Sequence, residues 1–252
     1  MRLGVVQHED GCPLGLFADW WHAAGATVAV ARPYRGESLP RLDEVDGLVV
    51  LGGSMGATDD DRHPWLAPTR DLLARAVDAG LPTLGVCLGH QLLAVACGGA
   101  VARNPAGKQK GVLPVGSTPD GDEDALVGRL PGGPDGGAPV SLQWNDDVVV
   151  ELPPGATLLA RTPDGVPQAM RVGAAWGVQF HPEVDVPIVR AWAEEEGPVT
   201  SDDEVALSAM AAAGPALEAT GRAVALTFAA IADEHGHGDN PKYRHSDGSA
   251  AG

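Results

Sequence analysis

Positive charge is scarce in this chain of 252 residues, which sets 17 lysines and arginines against 34 aspartates and glutamates, a net charge of −17. The basic residues form no cluster, and a nucleic-acid backbone repels an acidic surface unless a basic patch offsets it. We therefore expect no nucleic-acid partner. The sequence also lacks any apolar run of the roughly 18 residues needed to span a bilayer, so we expect no membrane insertion.

Cysteine is rare as well, with three residues in the whole chain. Three cysteines do not build a disulfide framework, and the stretch MRLGVVQHEDG lacks the apolar core of a secretion signal. These features predict a cytoplasmic protein whose thiols stay reduced. The sequence has no Gly-rich phosphate loop with a lysine, and its acidic stretch 59–65 is typical of a solvated loop, so we expect neither a cofactor nor a metal.

Strand-like and helix-like segments alternate through the first third of the chain. Apolar runs at 3–7, 27–31 and 46–53 predict β-strands, and amphipathic stretches at 16–25 and 66–80 predict helices. Such alternation is typical of α/β proteins, in which helices cover a parallel sheet.

The rest of the chain is less regular. Its middle is rich in Gly, Pro and Asp, which favours turns and a small antiparallel section. Residues 169–184 predict a hairpin, and residues 187–234 predict C-terminal helices interrupted by an acidic, solvated loop at 194–204. We expect one α/β domain over 1–234 and a disordered polar tail over 235–252.

One reactive side chain lies at a predicted bend, because Cys87 in LGVCLGHQ stands between an apolar strand and a helix. Gly85 and Gly89 allow a sharp turn and let neighbouring backbone pass close by. The turn exposes the thiol at the carboxyl edge of the strand, and the N-terminus of the helix favours a thiolate and a developing oxyanion. The bend alone fits a packed, buried cysteine equally well.

The later stretch GVQFHPE, residues 177–183, offers the partners that a cysteine nucleophile needs. His181 is a candidate base at the end of an apolar strand. Glu183 points the same way in extended chain and is placed to hold the imidazole tautomer. A single strand-end histidine is more commonly structural, but two matching motifs together favour a catalytic Cys-His-Glu triad.

Three stretches together resemble the class I glutamine amidotransferases, especially the free-standing GMP-synthase-like branch: LGVCLGHQLLA, GVQFHPE and VVLGGSMGATDDDRHPWL. The resemblance runs from residue 1 to about 230 and implies a flavodoxin-like fold, with a mostly parallel central sheet and helices on both faces. It implies that Cys87 attacks the side-chain carbonyl of glutamine and forms a γ-glutamyl thioester. His181 would be the general base and then the acid, oriented by Glu183.

The resemblance also implies which residues surround the reacting carbonyl. The backbone amides of Gly53 and Leu88 would form the oxyanion hole, and Gly52 would give that loop its shape. Gln91, one helical turn past Cys87, would contact the bound glutamine.

Two stretches depart from the family pattern near the amino-acid pocket. Family members commonly carry Glu where GKQKG has Gln109, and His-Gly-Asp where WNDDV has Asn145, Asp146 and Asp147. Asn145 and Asp146 are therefore expected at the substrate. The departures leave the choice between glutamine and another γ-glutamyl amide open.

Three functions remain open on sequence grounds. The first, which we prefer, is a glutaminase that supplies ammonia to a separate synthetase, because no nucleotide-binding signature is present. The second is a stand-alone γ-glutamyl hydrolase of a small molecule. The third is a catalytically silent regulatory module, which the joint presence of Cys87, His181 and Glu183 disfavours.

Overall fold

The computed structural model describes residues 1–133 and 136–238. The strands are β1 (Arg2–Val6), β2 (Thr27–Ala31), β3 (Gly47–Val50), β4 (Thr83–Val86), β5 (Ala100–Arg103), β6 (Gln109–Pro114), β7 (Val140–Asn145), β8 (Asp147–Glu151), β9 (Thr157–Arg161), β10 (Pro167–Val172) and β11 (Ala175–Val178). The helices are α1 (Phe17–Ala23), α2 (Leu66–Asp78), α3 (Leu88–Ala96), α4 (Pro119–Asp122), α5 (Val186–Glu196) and α6 (Ser201–Gly238). Within the described ranges, no helix is both long enough and apolar enough to cross a bilayer.

A seven-stranded sheet in the order β2-β1-β3-β4-β11-β10-β9 forms the centre of the molecule. The first five strands of that order run parallel, and β10 and β9 continue the sheet in antiparallel pairs. Strands β3, β4 and β11 are buried throughout, as parallel strands covered on both faces require.

Alternate residues of these strands point to opposite faces of the sheet and pack in two separate apolar clusters. Val49 packs in the cluster that contains Trp21 of α1 and Phe228 of α6, whereas Leu48 packs in the cluster that contains Leu72 of α2. The predicted flavodoxin-like α/β fold, with a mostly parallel sheet and helices on both faces, is confirmed. The small antiparallel section is also present, as the pairs β5–β8 and β6–β7.

The C-terminal part differs from the prediction at three places. Residues 194–196 are the last residues of α5 rather than part of a solvated loop, and Glu196 accepts there from Trp144 Nε1 at 2.8 Å. Residues 201–204 form the first turn of α6 rather than part of a solvated loop, because Thr200 and Asp203 cap the helix reciprocally. The Thr200 N–H donates to Asp203 Oδ2 at 2.7 Å, and the Asp203 N–H donates to Thr200 Oγ1 at 3.3 Å. Helix α6 then continues through Gly238, past the predicted boundary at 235. The rest of the predicted tail, 239–252, lies outside the described residues.

Two glycines let distant segments touch the backbone of the HPE motif. A Cβ on Gly221 of α6 would stand 2.1 Å from the carbonyl oxygen of Pro182, and a Cβ on Gly15 would stand 2.1 Å from that of Glu183. The Leu16 N–H also donates to the Glu183 carbonyl at 2.7 Å. The motif is therefore held at its backbone by the start of α1 and the middle of α6.

We expect Gly221→Ala to lower the free energy of unfolding by about 1–3 kcal/mol, because the added methyl group would overpack against backbone that has little freedom to move. Gly214→Ala in the same helix is the control, since no atom of the described residues, apart from its chain neighbours and the nearby backbone of its own helix, lies within 4 Å of an added Cβ there. Because Pro215 follows and disfavours the helical conformation of a preceding residue that carries a Cβ, the control should gain less than the ~0.5–1 kcal/mol of an ordinary helix-interior Gly→Ala replacement, and it should stay more stable than Gly221→Ala. Urea denaturation followed by circular dichroism measures both values, and equal stabilities would contradict the close contact of α6.

Candidate active site

Cys87 occupies the bend between β4 and α3 and has a φ of 51°, the one positive φ outside glycine in the described part of the chain. Such a conformation is strained in an L-residue and persists only where the surroundings impose it. Here they do, because a Cβ on Gly85 would lie 2.5 Å from the Gly89 carbonyl oxygen, and a Cβ on Gly89 would lie 2.0 Å from that of Val50. The two glycines of the motif thus permit the bend, as predicted.

Parallel pairing of β4 with β11 brings the second motif beside this bend. The Cys87 N–H donates to the Val178 carbonyl at 2.8 Å, and the His181 N–H donates to the Leu142 carbonyl of β7 at 2.9 Å. β11 ends at Val178, so His181 lies beyond the strand that was predicted to end with it. The His181 and Cys87 side chains lie side by side, since a Cβ on Gly52 would stand 3.1 Å from His181 Cε1 and 3.6 Å from Cys87 Cβ.

Glu183 completes the row of side chains. His181 Nδ1 and Glu183 Oε1 are 2.8 Å apart, and each side chain is 3% exposed. Because Nδ1 faces the carboxylate, Nε2 is the ring nitrogen left to face the sulfur. Trp192 of α5 packs on the imidazole with ring centroids 4.8 Å apart.

The charges of this row favour a protonated imidazole. Burial by itself lowers the pKa of His181, but the Cys87 thiolate and the Glu183 carboxylate outweigh burial and raise the pKa from 6.5 to about 10. The arrangement is therefore suited to a thiolate–imidazolium pair, the reactive form of a cysteine nucleophile.

Two backbone N–H groups, those of Gly53 and Leu88, belong to the segments that pack around Cys87. A Cβ on Gly52 would stand 3.1 Å from His181 Cε1, and a Cβ on Gly53 would stand 2.9 Å from Leu88 Cδ2. The loop after β3 therefore packs against both His181 and Leu88. Within the described ranges, neither the Gly53 N–H nor the Leu88 N–H meets an acceptor. The Leu88 amide also opens α3, at the positive end of the helix dipole. Together the two amides can hold an oxyanion.

A cleft of about 980 Å³ gives access to the sulfur. Gly53, Gln91, Asn145 and Asp146 line the cleft, together with Cys87 and His181. The remaining predicted site residues, Gly52, Leu88 and Glu183, lie behind this lining.

The predicted substrate contacts are not equivalent. Gln91 donates to the Asp147 carbonyl at 2.9 Å and to Gln179 Oε1 at 3.3 Å, which leaves its own oxygen for a ligand. Asn145 donates to the same Asp147 carbonyl at 3.1 Å, and within the described part of the chain its buried Oδ1 has no partner. Asp146 instead pairs with Arg103 at 2.9 Å, and both of these residues line the cleft.

Both departures from the family pattern meet in one cluster of neutral amides. Gln109 Oε1 accepts from Asn145 Nδ2 and from Gln168 Nε2, each at 3.3 Å. The residue that replaces the family's Glu thus binds the residue that replaces the family's His, and the cluster carries no charge.

Sequence reasoning missed Gln179. Its side-chain amide donates to Cys87 Sγ at 3.5 Å, and the residue is fully buried. The signal was present in GVQFHPE, because Gln179 precedes His181 by two residues and so faces the same side of an extended chain.

Known proteins resemble this chain in sequence and in fold. The family model described as glutamine amidotransferase class-I matches residues 21–187. The glutamine amidotransferase-like protein YfeJ of Salmonella typhimurium is 33% identical over 196 residues, which cover 75% of this chain and 78% of that protein. A crystal structure of a glutamine amidotransferase from Thermotoga maritima superposes with a TM-score of 0.77 at 26% identity, covering 90% of this chain and 98% of the other.

Two further relatives carry more specific names. GMP synthase (glutamine-hydrolyzing) of Aeropyrum pernix is 39% identical over 151 residues, which cover 59% of this chain but 26% of that longer protein. Gamma-glutamyl peptidase 5 of Arabidopsis thaliana is 33% identical over 153 residues, which cover 59% of this chain and 57% of that protein.

We expect the free energy of unfolding to be greatest near neutral pH. Burial lowers the pKa of His8 and of His90 from 6.5 to about 3, so below pH 6.5 the unfolded chain binds protons that the folded chain does not, and stability falls with falling pH. The raised pKa of His181 has the opposite effect, because its contribution is complete below pH 6.5 and is lost as the pH rises through about 10.

Urea unfolding at intervals from about pH 5 to about pH 9 measures both slopes. Glu183→Gln is the test variant. Removal of the carboxylate should reduce the fall of the unfolding free energy at alkaline pH and leave its fall at acid pH unchanged. An unchanged alkaline slope in that variant would contradict the role of Glu183 in raising the pKa of His181.

Proposed function

Because this chain belongs to the class I glutamine amidotransferase family, we propose that it hydrolyses the side-chain amide of glutamine and supplies the ammonia to a separate synthetase. The observation that carries the proposal is the buried contact of Cys87, His181 and Glu183 at the wall of the cleft. We place the reaction in the reducing cytoplasm, where the thiol stays available.

In the first half-reaction the Cys87 thiolate attacks the side-chain carbonyl carbon of glutamine. The N–H groups of Gly53 and Leu88 bind the oxyanion of the tetrahedral intermediate. Protonated His181 gives its proton to the leaving nitrogen, the C–N bond breaks, and ammonia departs from a γ-glutamyl thioester.

In the second half-reaction His181, now neutral, takes a proton from water. The resulting hydroxide attacks the thioester carbonyl, the C–S bond breaks, and glutamate leaves with the thiolate and the imidazolium restored. Glu183 holds the imidazole in one tautomer throughout, and Gln179 donates to the sulfur whenever it carries negative charge. This chemistry needs no metal and no cofactor.

A separate synthetase is the proposed consumer of the ammonia. A relative of this chain is named GMP synthase (glutamine-hydrolyzing), and the matched segment is a quarter of that protein. The 252 residues here carry no nucleotide-binding signature, so we propose that the step that uses the ammonia takes place outside them.

The cleft favours a second candidate function, the hydrolysis of larger γ-glutamyl amides. Its volume of about 980 Å³ lies at the upper end of the ~300–1,000 Å³ found for drug-sized ligands, and glutamine is much smaller. Arg62 lines the cleft and has no acidic partner in the part of the chain that the structure describes, whereas Arg103 and Lys108 are paired with Asp146 and Glu196. A carboxylate on the leaving amine would pair with Arg62.

Cys87→Ser is expected to lower ammonia release from glutamine by about three orders of magnitude or more, because the hydroxyl is a far weaker nucleophile than the thiolate. Cys97→Ser, at the C-terminus of α3, is the matched control and should keep wild-type turnover. Ammonia is measured by a coupled glutamate dehydrogenase assay. Undiminished turnover in Cys87→Ser would refute the proposed mechanism, and an inactive wild type would favour a silent regulatory module.

The second candidate predicts a preference that depends on the leaving group. The kcat/KM for γ-glutamylalanine should exceed that for γ-glutamylethylamide, which lacks the carboxylate. Arg62→Gln should lower the former value about tenfold, the loss of one charged hydrogen bond, and leave glutamine hydrolysis unchanged. Arg35→Gln, an exposed arginine paired with Asp10, is the control. Equal kcat/KM values for the two amides would exclude carboxylate recognition by Arg62.

A further inference from the structure

The loop that carries Gly53 is anchored on both sides of that residue. Before it, the Leu51 N–H donates to the Val6 carbonyl of β1 at 3.0 Å. After it, the Ser54 N–H donates to Glu9 Oε1 at 2.7 Å, and the Ser54 hydroxyl donates to Glu9 Oε2 at 2.7 Å. One carboxylate from the segment after β1 thus holds both the backbone and the side chain of Ser54.

Glu9 is itself fixed by its own segment. Gln7 Nε2 donates to the Glu9 carbonyl at 2.8 Å, and the Cys12 thiol donates to Glu9 Oε1 at 3.2 Å. Burial raises the pKa of Cys12, so the thiol keeps the proton that it donates. The carboxylate therefore accepts from an amide, a hydroxyl and a thiol, and its position is determined by three donors.

Such anchoring matters because the loop has little stiffness of its own. The sequence GGSMG, residues 52–56, contains three glycines, which have the greatest backbone freedom of any residue. A Cβ on Gly53 would stand 2.6 Å from the Met55 sulfur and 2.9 Å from Leu88 Cδ2, so a side chain there would displace both neighbours. The orientation of the Gly53 amide thus depends on contacts outside the loop, and Glu9 makes two of them.

We propose that Glu9 is a positioning residue that fixes the Gly53 amide towards the oxyanion, so that the free chain turns over glutamine with no synthetase bound. The inference rests on the proposed function, because it takes the Gly53 amide as an oxyanion donor. Glu9 acts through Ser54 and does not take part in bond making.

A defect in oxyanion binding has a kinetic signature. The oxyanion exists in the transition state and not in bound glutamine, so loss of its donor lowers kcat and leaves KM nearly unchanged. Loss of one oxyanion donor costs about 10²–10³ in kcat, and a donor that is merely freed to reorient should cost less, about 10- to 100-fold. Alkylation of the thiolate by iodoacetamide forms no oxyanion, so its rate should not depend on Glu9.

The experiment compares Glu9→Ala, Glu9→Gln and Ser54→Ala in the full chain without any partner protein. Glu9→Ala should lower kcat for glutamine about 10- to 100-fold, with KM and the alkylation rate of Cys87, followed by mass spectrometry, at wild-type values. Glu9→Gln keeps an acceptor for the Ser54 N–H and should recover most of the loss. Ser54→Ala removes one of the two bonds and should show a smaller fall in kcat.

Asp10→Asn is the control, because this neighbouring carboxylate binds Tyr34 and Arg35 outside the cleft. A wild-type kcat in Glu9→Ala overturns the inference, and so does a parallel fall in kcat and alkylation rate. A wild-type chain that alkylates at Cys87 but releases ammonia only after a synthetase is added also overturns it, and leaves the proposed function intact. The proposed function fails by a different result, undiminished turnover in Cys87→Ser.

Discussion

The pairing of β4 with β11 is the constraint on which the candidate site depends. These strands are separated by some ninety residues of chain, and their parallel register places the Cys87 amide on the Val178 carbonyl. The sheet therefore sets the distance between the sulfur and the imidazole before any side chain is oriented. The bend at Cys87 and the irregular segment after β11 then turn the two side chains towards each other. A strained φ at the nucleophile is sustained because close-packed glycine contacts leave the backbone no alternative.

The candidate site holds a positive charge within a strongly acidic protein. The chain carries a net charge of −17, yet its buried reactive row holds an imidazole whose proton is stabilised by two neighbouring anions. The other deeply buried histidines, His8 and His90, have no such neighbours and stay neutral, with pKa values lowered by burial. The contrast among three buried histidines shows that neighbouring charge, and not burial, sets the protonation state of His181.

The sequence predicted the parallel sheet and the bend from short local patterns. It grouped Cys87 with His181 and Glu183 from the partners that a cysteine nucleophile needs and from the family resemblance. The roles of Gly85 and Gly89 are readable from spacing, since glycines on either side of a cysteine point to close backbone contact. Glu9 was not predicted, because its importance arises from contact with Ser54, 45 positions along the chain. The cap formed by Thr200 and Asp203 was readable as a Thr-x-x-Asp pattern but was interpreted as a solvated acidic run.

The two departures from the family pattern meet in the cluster around Gln109. A glutamate at position 109 would place a carboxylate against the neutral amides of Asn145 and Gln168, with no cation in the cluster to pair with it. Its oxygens would accept from Asn145 Nδ2 and Gln168 Nε2 as Gln109 Oε1 does at 3.3 Å, but they would add a negative charge at this half-buried position. Glutamine at 109 keeps both contacts and leaves the cluster neutral. The cluster contains none of Cys87, His181 and Glu183, so the electrostatics of the amino-acid pocket can change while the contacts among the three reactive side chains stay as they are.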